Sequence, residues 1–323
     1  MTILVTGGAG YIGSHTAKEL ARSGYDVLVL DNFSSGRREF VSGRRSVEAD
    51  LMNKEAVRRI FRAEKIGAVL HFASLIQVGE SYADPRKYYV HNLTTSLNLL
   101  DAMLEFGVDK LIFSSSAAVY GVPEDVPILE THTAHPVNPY GRTKAMVETF
   151  LEDYGRAYGL KSVSLRYFNA AGADPEGGLG ECHDPETHLI PNILLRILGK
   201  NSRLGVFGSD FPTSDGTAVR DYIHVTDLAA AHVLALKSLE AGGPGGVINL
   251  GTNKGYSVLD VIRTAEKVTG HEVPYELLPR RKGDVAILLA SKEKAEAALG
   301  WKPRLSSLET IIVTAWDWHR SRR

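Results

Sequence analysis

The chain predicts a doubly wound α/β fold: a mostly parallel sheet with helices on both faces, joined to a smaller mixed α/β unit. Three observations carry this expectation. Short apolar runs of strand length alternate with stretches of helical spacing through the first half of the chain, as in parallel strands joined by crossover helices. The glycine cluster Gly7-Gly8-Ala9-Gly10-Tyr11-Ile12-Gly13 stands between the first strand-like run and the first helix-like run. After Phe168 the alternation becomes irregular, and segments rich in Gly, Pro and acidic residues intervene. The expected division is therefore 1-168 and 169-323, with a discontinuous boundary because some later segments return to the first unit.

Thr2 to Thr6 is apolar and β-branched and stops at glycines, so it reads as the first strand. Helical spacing follows over Ser14 to Ser23, and Gly24 ends it. Asp26 to Leu30 is a second strand with Asp31 at its tip, and Val47 marks a weaker one before Asp50. Glu55 to Glu64 reads as a helix. Ala68 to Phe72 and Lys110 to Ser114 are further strands, with room for a long helix over Lys87 to Phe106 between them. Pro139 to Tyr158 is the next helix and Val163 to Arg166 the next strand. The crossovers joining these strands should be right-handed. Ala173 to Glu186 and Asp210 to Gly216 read as loops. Val225 to Leu239 is helical, Gly242 to Gly246 a turn cluster, and Val247 to Leu250 a strand. Ser257 to Val268, Lys292 to Leu299 and Ser306 to His319 complete the helices.

With 323 residues, 44% hydrophobic and 23% charged, the chain has the composition of a soluble protein with a sizeable core. A formal net charge of -1 disfavours nucleic acid or an anionic membrane as main partner. Cys182 is the sole cysteine, which rules out an internal disulfide framework or a multi-cysteine metal site. No apolar run reaches the roughly 20 residues of a membrane span, and Thr2 to Val5 reads as a strand rather than a signal-peptide core. A cytoplasmic location is expected.

Gly8, Gly10 and Gly13 fit GxGxxG, and Gly7, Gly10 and Gly13 fit GxxGxxG. Small residues there permit a tight turn and close approach of a pyrophosphate to a helix N-terminus. The strand before and the helix after supply the context a Rossmann-type cradle requires. Asp31 lies 23 residues beyond Gly8. A carboxylate at that position accepts both ribose hydroxyl protons and repels a 2′-phosphate, which favours NAD over NADP. Asn32 can share the contact, Asp50 with Leu51 is a candidate to lie against the adenine, and the neighbouring Arg37 and Arg38 argue the other way. Tyr140 and Lys144, four residues apart, share one helical face. A nearby ammonium should favour the phenolate of a side chain whose ordinary pKa is near 10. Ser114-Ser115-Ser116 ends a strand at the edge where this sheet class binds ligands, and Ser116 is placed to hydrogen-bond a reacting hydroxyl. The plain alternatives are a surface Tyr and Lys on an amphipathic helix and a serine that only caps.

These blocks, together with TGGAGYIGSH (Thr6 to His15), DNFSSG (Asp31 to Gly36), HFAS (His71 to Ser74), VGES (Val78 to Ser81), SSSAAVYG (Ser114 to Gly121), YGRTK (Tyr140 to Lys144), RYFNAAGA (Arg166 to Ala173), DGTAVRDYIHVTDLA (Asp215 to Ala229) and RRKGD (Arg280 to Asp284), resemble the extended short-chain dehydrogenase/reductase family, within it the 4-epimerases of UDP-hexoses. The resemblance covers almost the whole chain. It implies a tightly held NAD and reversible inversion at C4 of UDP-galactose and UDP-glucose through a 4-keto sugar. It gives catalytic roles to Ser116, Tyr140 and Lys144. Cofactor contacts fall to Gly7, Gly10, Tyr11, Ile12, Gly13, Asp31, Asn32, Asp50, Leu51, Phe72, Ala73, Asn92, Ser114, Tyr140, Lys144 and Tyr167. Substrate contacts fall to Ser116, Tyr140, Asn169, His188, Leu189, Arg220, Arg281, Asp284 and Leu288, with Arg220 and Arg281 on the diphosphate and Asp284 on the uridine ribose. Homodimers through the helices over Tyr88 to Phe106 and Pro139 to Tyr158 are also implied.

Two positions depart from the pattern. Ile76 stands where some members carry a lysine near the cofactor, which bears on cofactor retention. Leu288 stands where some carry a large Tyr, so N-acetylated UDP-hexoses become candidate substrates. Arg220-Asp221 as a surface ion pair and Arg280-Arg281-Lys282 as a solvated basic run are the bland readings of those positions. Cys182, His183 and His188 lack a complete ligand set, so no metal is expected. A 4,6-dehydratase is disfavoured because Ala117-Ala118 stands where an Asp-Glu pair would be needed. A simple dehydrogenase and a NAD-sensing protein without catalysis remain the other readings.

Overall fold

The computed structural model describes residues 1–201, 203–281 and 283–322, so Lys282 of the basic run lies outside the described residues. The strands are β1 (Thr2–Thr6), β2 (Asp26–Asp31), β3 (Ser46–Glu48), β4 (Ile66–His71), β5 (Lys110–Ser114), β6 (Lys161–Tyr167), β7 (Asn169–Ala171), β8 (Gly205–Phe207), β9 (Val219–His224), β10 (Gly246–Leu250), β11 (Gly255–Ser257), β12 (Glu276–Leu278) and β13 (Ile287–Leu288). The helices are α1 (Tyr11–Arg22), α2 (Lys54–Ala63), α3 (Val78–Ala83), α4 (Pro85–Glu105), α5 (Pro139–Tyr158), α6 (Leu189–Ile197), α7 (Val225–Glu240), α8 (Val258–Thr269), α9 (Glu293–Leu299) and α10 (Leu308–Ser321).

Seven strands form one parallel sheet in the order β10-β6-β5-β4-β1-β2-β3. Both faces are covered, as the alternation along the strands requires. Ile3, Val5, Val27 and Val29 pack into one core with Leu20 of α1 and Leu236 of α7, whereas Leu4, Leu28 and Leu30 pack into the other with Phe61 of α2, Leu99 of α4 and Leu151 of α5. The chain runs outward from β1 to β3 and then resumes on the other side at β4. That reversal opens a crevice at the carboxyl ends of the strands, the usual ligand position of such sheets.

Local chemistry places the helix that matters most. Asn138 caps α5 by accepting from the Gly141 amide at 2.7 Å, and Pro139 occupies its first turn. Gly159 ends it in the left-handed region at φ 76°. Tyr140 is thereby fixed within the first turn of the helix. α4 starts the same way, with Asp84 accepting from Lys87 and Pro85 following.

The remaining strands build smaller sheets: β11-β9-β13 with β7 also on β9, and β12-β8. Their core joins Ile193 and Leu194 of α6, Val261 and Ile262 of α8, and Ile311 and Ile312 of α10. The expected strands of the large sheet and the long helices are present. The differences fall in short elements. α1 begins at Tyr11 rather than Ser14 because Gly10 is its cap and the glycine turn runs straight into it. α6, α3 and the strands of the smaller sheets were not expected; strands of two to three residues carry no readable period, whereas the nine-residue α6 and six-residue β9 were missed despite their length.

Candidate active site

The glycine turn is built to the limit of backbone contact. Gly7 has φ +69°, and a Cβ there would stand 2.6 Å from the Ala73 amide nitrogen and 2.9 Å from the Phe72 carbonyl carbon. A Cβ on Gly13 would collide with the Gly7 carbonyl oxygen, and one on Gly8 would meet Val29 Cγ1 at 2.8 Å. A side chain at any of the three is excluded sterically, and α1 starts at this turn with its unpaired amides at the crevice. Asp31 ends β2 beside it. Its carboxylate accepts from the Ala9 amide at 2.9 Å and the Phe33 amide at 2.8 Å. Burial raises its pKa while those amides oppose the rise. Asn32 donates to Asp50 at 3.2 Å, which ties two of the expected cofactor residues together.

Other expected cofactor positions divide between the edge and the core. Ala73 abuts Gly7, and Phe72 packs its ring 4.8 Å from that of His232. Ile12 packs against the core beneath α1. Leu51 is buried among Val57, Leu99 and Leu100 rather than open at the edge. Tyr11 turns its hydroxyl away to donate to the Gly172 carbonyl at 2.6 Å, which pins the loop after β7 to the glycine turn. Asn92 holds the segment after β4 by accepting from the Leu75 amide at 2.8 Å and donating to its carbonyl, and donates to Thr143 Oγ1 at 3.0 Å, locking that segment to α5. Ile76 lies beyond this lock and is exposed.

The hydroxyl and ammonium groups converge at the ends of β5 and β6. Lys144 is buried and donates from Nζ to the Ser114 carbonyl at 2.9 Å, with Nζ 5.8 Å from the Tyr140 ring centroid. The Ser114 and Tyr167 hydroxyls are 2.5 Å apart. Ser116 Oγ accepts from the Ala118 amide at 3.1 Å and caps the short turn Ala117–Val119, so its capping reading holds. Its hydroxyl also pulls down the Tyr140 pKa, so capping and contact with Tyr140 coexist. The expected pKa order does not hold in the protein alone. Burial pushes the Tyr140 phenol up to about 12, against the Ser116 hydrogen bond. Burial pushes Lys144 down to about 7, opposed by the Glu148 carboxylate. A low dielectric disfavours charge on both groups.

Behind them lies a buried network that sequence reasoning missed. Glu148, one turn beyond Lys144, accepts from Ser115 Oγ at 2.6 Å and from Arg166 at 2.9 and 2.5 Å. The Arg166 guanidinium lies over the Tyr120 ring at 4.7 Å, and Tyr120 donates to Asn249 at 2.7 Å. The helical spacing 140, 144, 148 was a readable signal for Glu148; its partners Ser115, after β5, and Arg166, on β6, had none.

The substrate residues gather on the smaller sheets. Arg220 of β9 is in register with Leu288 of β13, and Asn169 of β7 with Tyr222. Arg220 donates to the Val219 and Val285 carbonyls, both at 2.8 Å, and burial lowers its pKa. It does not pair with Asp221. Neighbours on a strand face opposite sides, and Asp221 instead accepts from Thr252 and from the Ala290 amide. Arg281 donates to Asp284 at 3.2 Å, and Arg280 to Asp210 at 2.6 Å, so these two arginines are solvent-exposed but carry carboxylate partners. Leu288 packs against the cluster of Ala117, Val119, Tyr120 and Ile128 that follows Ser116. His188 caps α6 and Leu189 opens it. Cys182 packs beside Phe40, Leu179 and Trp318, apart from the histidines with which the sequence groups it. Around His183 and His188 stand Glu181 and Glu186 instead, so the ligand set that looked incomplete in sequence has four members in space.

Residues 3–251 match the NAD dependent epimerase/dehydratase family. The UDP-glucose 4-epimerase of Lacticaseibacillus casei is 49% identical over 322 residues, covering 99% of this chain and 97% of that protein. The crystal structure of UDP-glucose 4-epimerase from Brucella ovis in complex with NAD superposes with a TM-score of 0.96 at 47% identity, covering 98% of this chain and 97% of that one. That of the Bifidobacterium longum UDP-glucose 4-epimerase in complex with NAD+ and UDP does so with a TM-score of 0.94 at 40% identity, over 99% and 98% of the two chains.

Proposed function

The chain belongs to the NAD dependent epimerase/dehydratase family, and from that premise we propose that it interconverts UDP-galactose and UDP-glucose by inverting the hexose at C4. The observation that carries this reading is the convergence of Tyr140 and Lys144 of α5 with Ser114 and Ser116 at the mouth of a glycine cradle in which no side chain fits at Gly7 or Gly13. The cradle fits NAD, with Gly7, Gly10 and Gly13 at the pyrophosphate, Asp31 at a ribose, and Lys144 and Tyr167 at the nicotinamide side. NAD, when bound, supplies a hydride acceptor and later donor and adds positive charge beside the phenol.

The protein's part is proton handling and positioning. Tyr140, as the phenolate that the positive charge of bound NAD would favour, would take the proton of the sugar 4-hydroxyl and return it after inversion. Ser116 hydrogen-bonds the same oxygen as hydroxyl and as ketone. Lys144, held by the Ser114 carbonyl, orients the cofactor's ribose and offers charge to Tyr140. Arg220 and Arg281 hold the diphosphate, where a guanidinium presents directed donors. Asp284 takes the uridine ribose, and Asn169, His188 and Leu189 border the sugar. Leu288, beside the turn after Ser116, leaves room at the hexose C2 substituent, which favours UDP-N-acetylhexosamines as further substrates.

The same reading treats 1-168 as the cofactor unit and 169-323 as predominantly the substrate unit. It makes the chain a homodimer, for which Val90, Leu97 and Leu104, seven apart on α4 and exposed, supply an apolar stripe. It is also a cytoplasmic protein in this reading; no helix among the described residues is long and apolar enough to cross a membrane. The test is to incubate the purified protein with UDP-galactose, and in parallel with UDP-N-acetylgalactosamine, with and without added NAD, and to resolve the sugar nucleotides. Appearance of UDP-glucose is expected. Failure to convert UDP-galactose even with NAD overturns the reading, and failure on the N-acetylated sugar alone removes the role given to Leu288.

A further inference from the structure

The loop between β7 and α6 carries a cluster of which only His188 has a place in the proposed epimerase site. Glu181, His183, Glu186 and His188 each offer one ligand atom, and these four atoms lie within 4.8 Å of one another. Both imidazoles turn Nδ1 toward the same Glu181 oxygen: His183 at 3.3 Å, His188 in a direct hydrogen bond. Glu186 stands 3.7 Å from each Nδ1. Its Oε1 accepts from the Thr187 and His188 amides at 2.8 and 2.9 Å, which fixes the carboxylate and leaves Oε2 facing His183. The two carboxylate side chains are only 4% and 7% exposed.

We propose that these four side chains form a binding site for a divalent cation of the Zn2+ class. The geometry favours this over a plain ion-pair cluster. Ligands about 2.0–2.2 Å from a tetrahedral zinc are separated by roughly 3.3–3.5 Å; His183 Nδ1 lies 3.3 Å from Glu181 Oε1 and 3.7 Å from Glu186 Oε2, near that edge length, while the shorter His188–Glu181 hydrogen bond would open on binding. Two nitrogens and two oxygens are a donor set suited to zinc rather than to the harder, oxygen-seeking Mg2+ or Ca2+. The Nδ1 of His183 is buried and makes no hydrogen bond of good geometry, its nearest acceptor being Glu181 Oε1 at 3.3 Å. Two carboxylates and two neutral imidazoles balance the charge of one dication. On binding, each protonated imidazole releases its Nδ1 proton to solvent, and no redox change occurs.

The placement suggests what the ion does. Trp318 donates to the Glu181 carbonyl at 2.8 Å, Arg37 to the Cys182 carbonyl at 3.3 Å, and the loop begins at Gly172, held by Tyr11. A cation there fastens the loop over the glycine turn and sets His188, the cap of α6.

The test uses tag-free full-length protein, stripped with a chelator and dialysed. Titration with ZnCl2 is followed by calorimetry and by metal analysis after desalting, and thermal unfolding is recorded alongside. One Zn2+ retained per chain and a raised Tm are expected. In the His183→Gln/His188→Gln protein, affinity should fall by at least the roughly 10–100-fold seen when outer-shell partners are lost. Glu186→Gln, which keeps the amide contacts, serves as the second variant should the double one not fold. Co2+ in place of zinc should show tetrahedral visible absorbance in the wild type alone. Retention well below one equivalent, or unchanged uptake in the folded variants, overturns the proposal and leaves a His–Glu ion-pair cluster.

Discussion

Replacing Glu148 by Gln tests whether the network behind the hydroxyl groups is a structural requirement. Glu148 and Arg166 have side chains only 9% and 7% exposed, and they are joined by two hydrogen bonds with Ser115 as a third partner. Removing one partner of a buried pair typically costs about 3–5 kcal/mol because a charge is left without compensation. Glutamine preserves the shape and can still accept from Ser115 and one guanidinium nitrogen, so the expected loss is about 2–4 kcal/mol. Urea unfolding, read by circular dichroism, should show the midpoint fall with an unchanged m-value. In a chain of this size each kcal/mol moves Tm by roughly 2 °C, so Tm should drop by about 4–8 °C. The double variant Glu148→Leu/Arg166→Met removes both charges and should recover most of the loss, since an apolar pair of similar volume is often as stable as the ion pair. Lys144 also loses the one carboxylate that raises its pKa, so its deprotonation should move to lower pH. A single-variant loss below about 1 kcal/mol, or strict additivity in the double, would refute the reasoning, because both follow from leaving one buried charge alone.

Three further outcomes are expected. Tyr140→Phe should keep NAD, as judged by cofactor released on denaturation, while kcat falls roughly 10²–10⁴-fold, the usual range for a lost general acid–base; a loss under tenfold would remove Tyr140 from proton transfer. Lys144→Met should stabilise the cofactor-free protein most near neutral pH and below. Burial lowers the folded pKa to about 7, below the unfolded value near 10.4, so wild-type stability rises between those limits as the unfolded chain binds more protons. The gap between variant and wild type should therefore shrink toward pH 10, on the order of 4 kcal/mol in all, and a pH-independent gap would contradict the buried-charge account. Gly13→Val should give protein without bound NAD, since even a Cβ there collides with the Gly7 carbonyl; full retention of NAD would show that the turn can open at little cost.

The residues that local rules govern were legible. The glycine turn, Asp31 at the tip of β2, and the helix that sets Tyr140 and Lys144 on one face each follow from a strand period, a helix period or the space a side chain needs. Leu51 was legible as a position but not in its environment: a residue next to an acidic one can face the crevice or the core, and here it packs on Leu99. The bland alternative of an Arg220-Asp221 ion pair is excluded by the strand alternation of β9, three residues of which pair with β11 and which sends the two side chains to opposite faces. Glu181 and Glu186 are not legible as partners of the two histidines because carboxylates are common in a polar loop, and Cys182 between them turns its side chain into the Phe40–Trp318 cluster.

The sequence by itself determined the parallel sheet, its glycine cradle and the spacing that puts a phenol and an ammonium together, because each is set by residues adjacent or one helical turn apart. Tertiary structure alone decided three things: which carboxylate meets Arg166, which residues surround His183, and in which direction the Tyr140 and Lys144 pKa values move. Those depend on burial and on partners distant along the chain, as where Asn249 meets Tyr120 across 129 residues in the same network. A desolvation energy is a property of the packed interior, and no local pattern of residues encodes it.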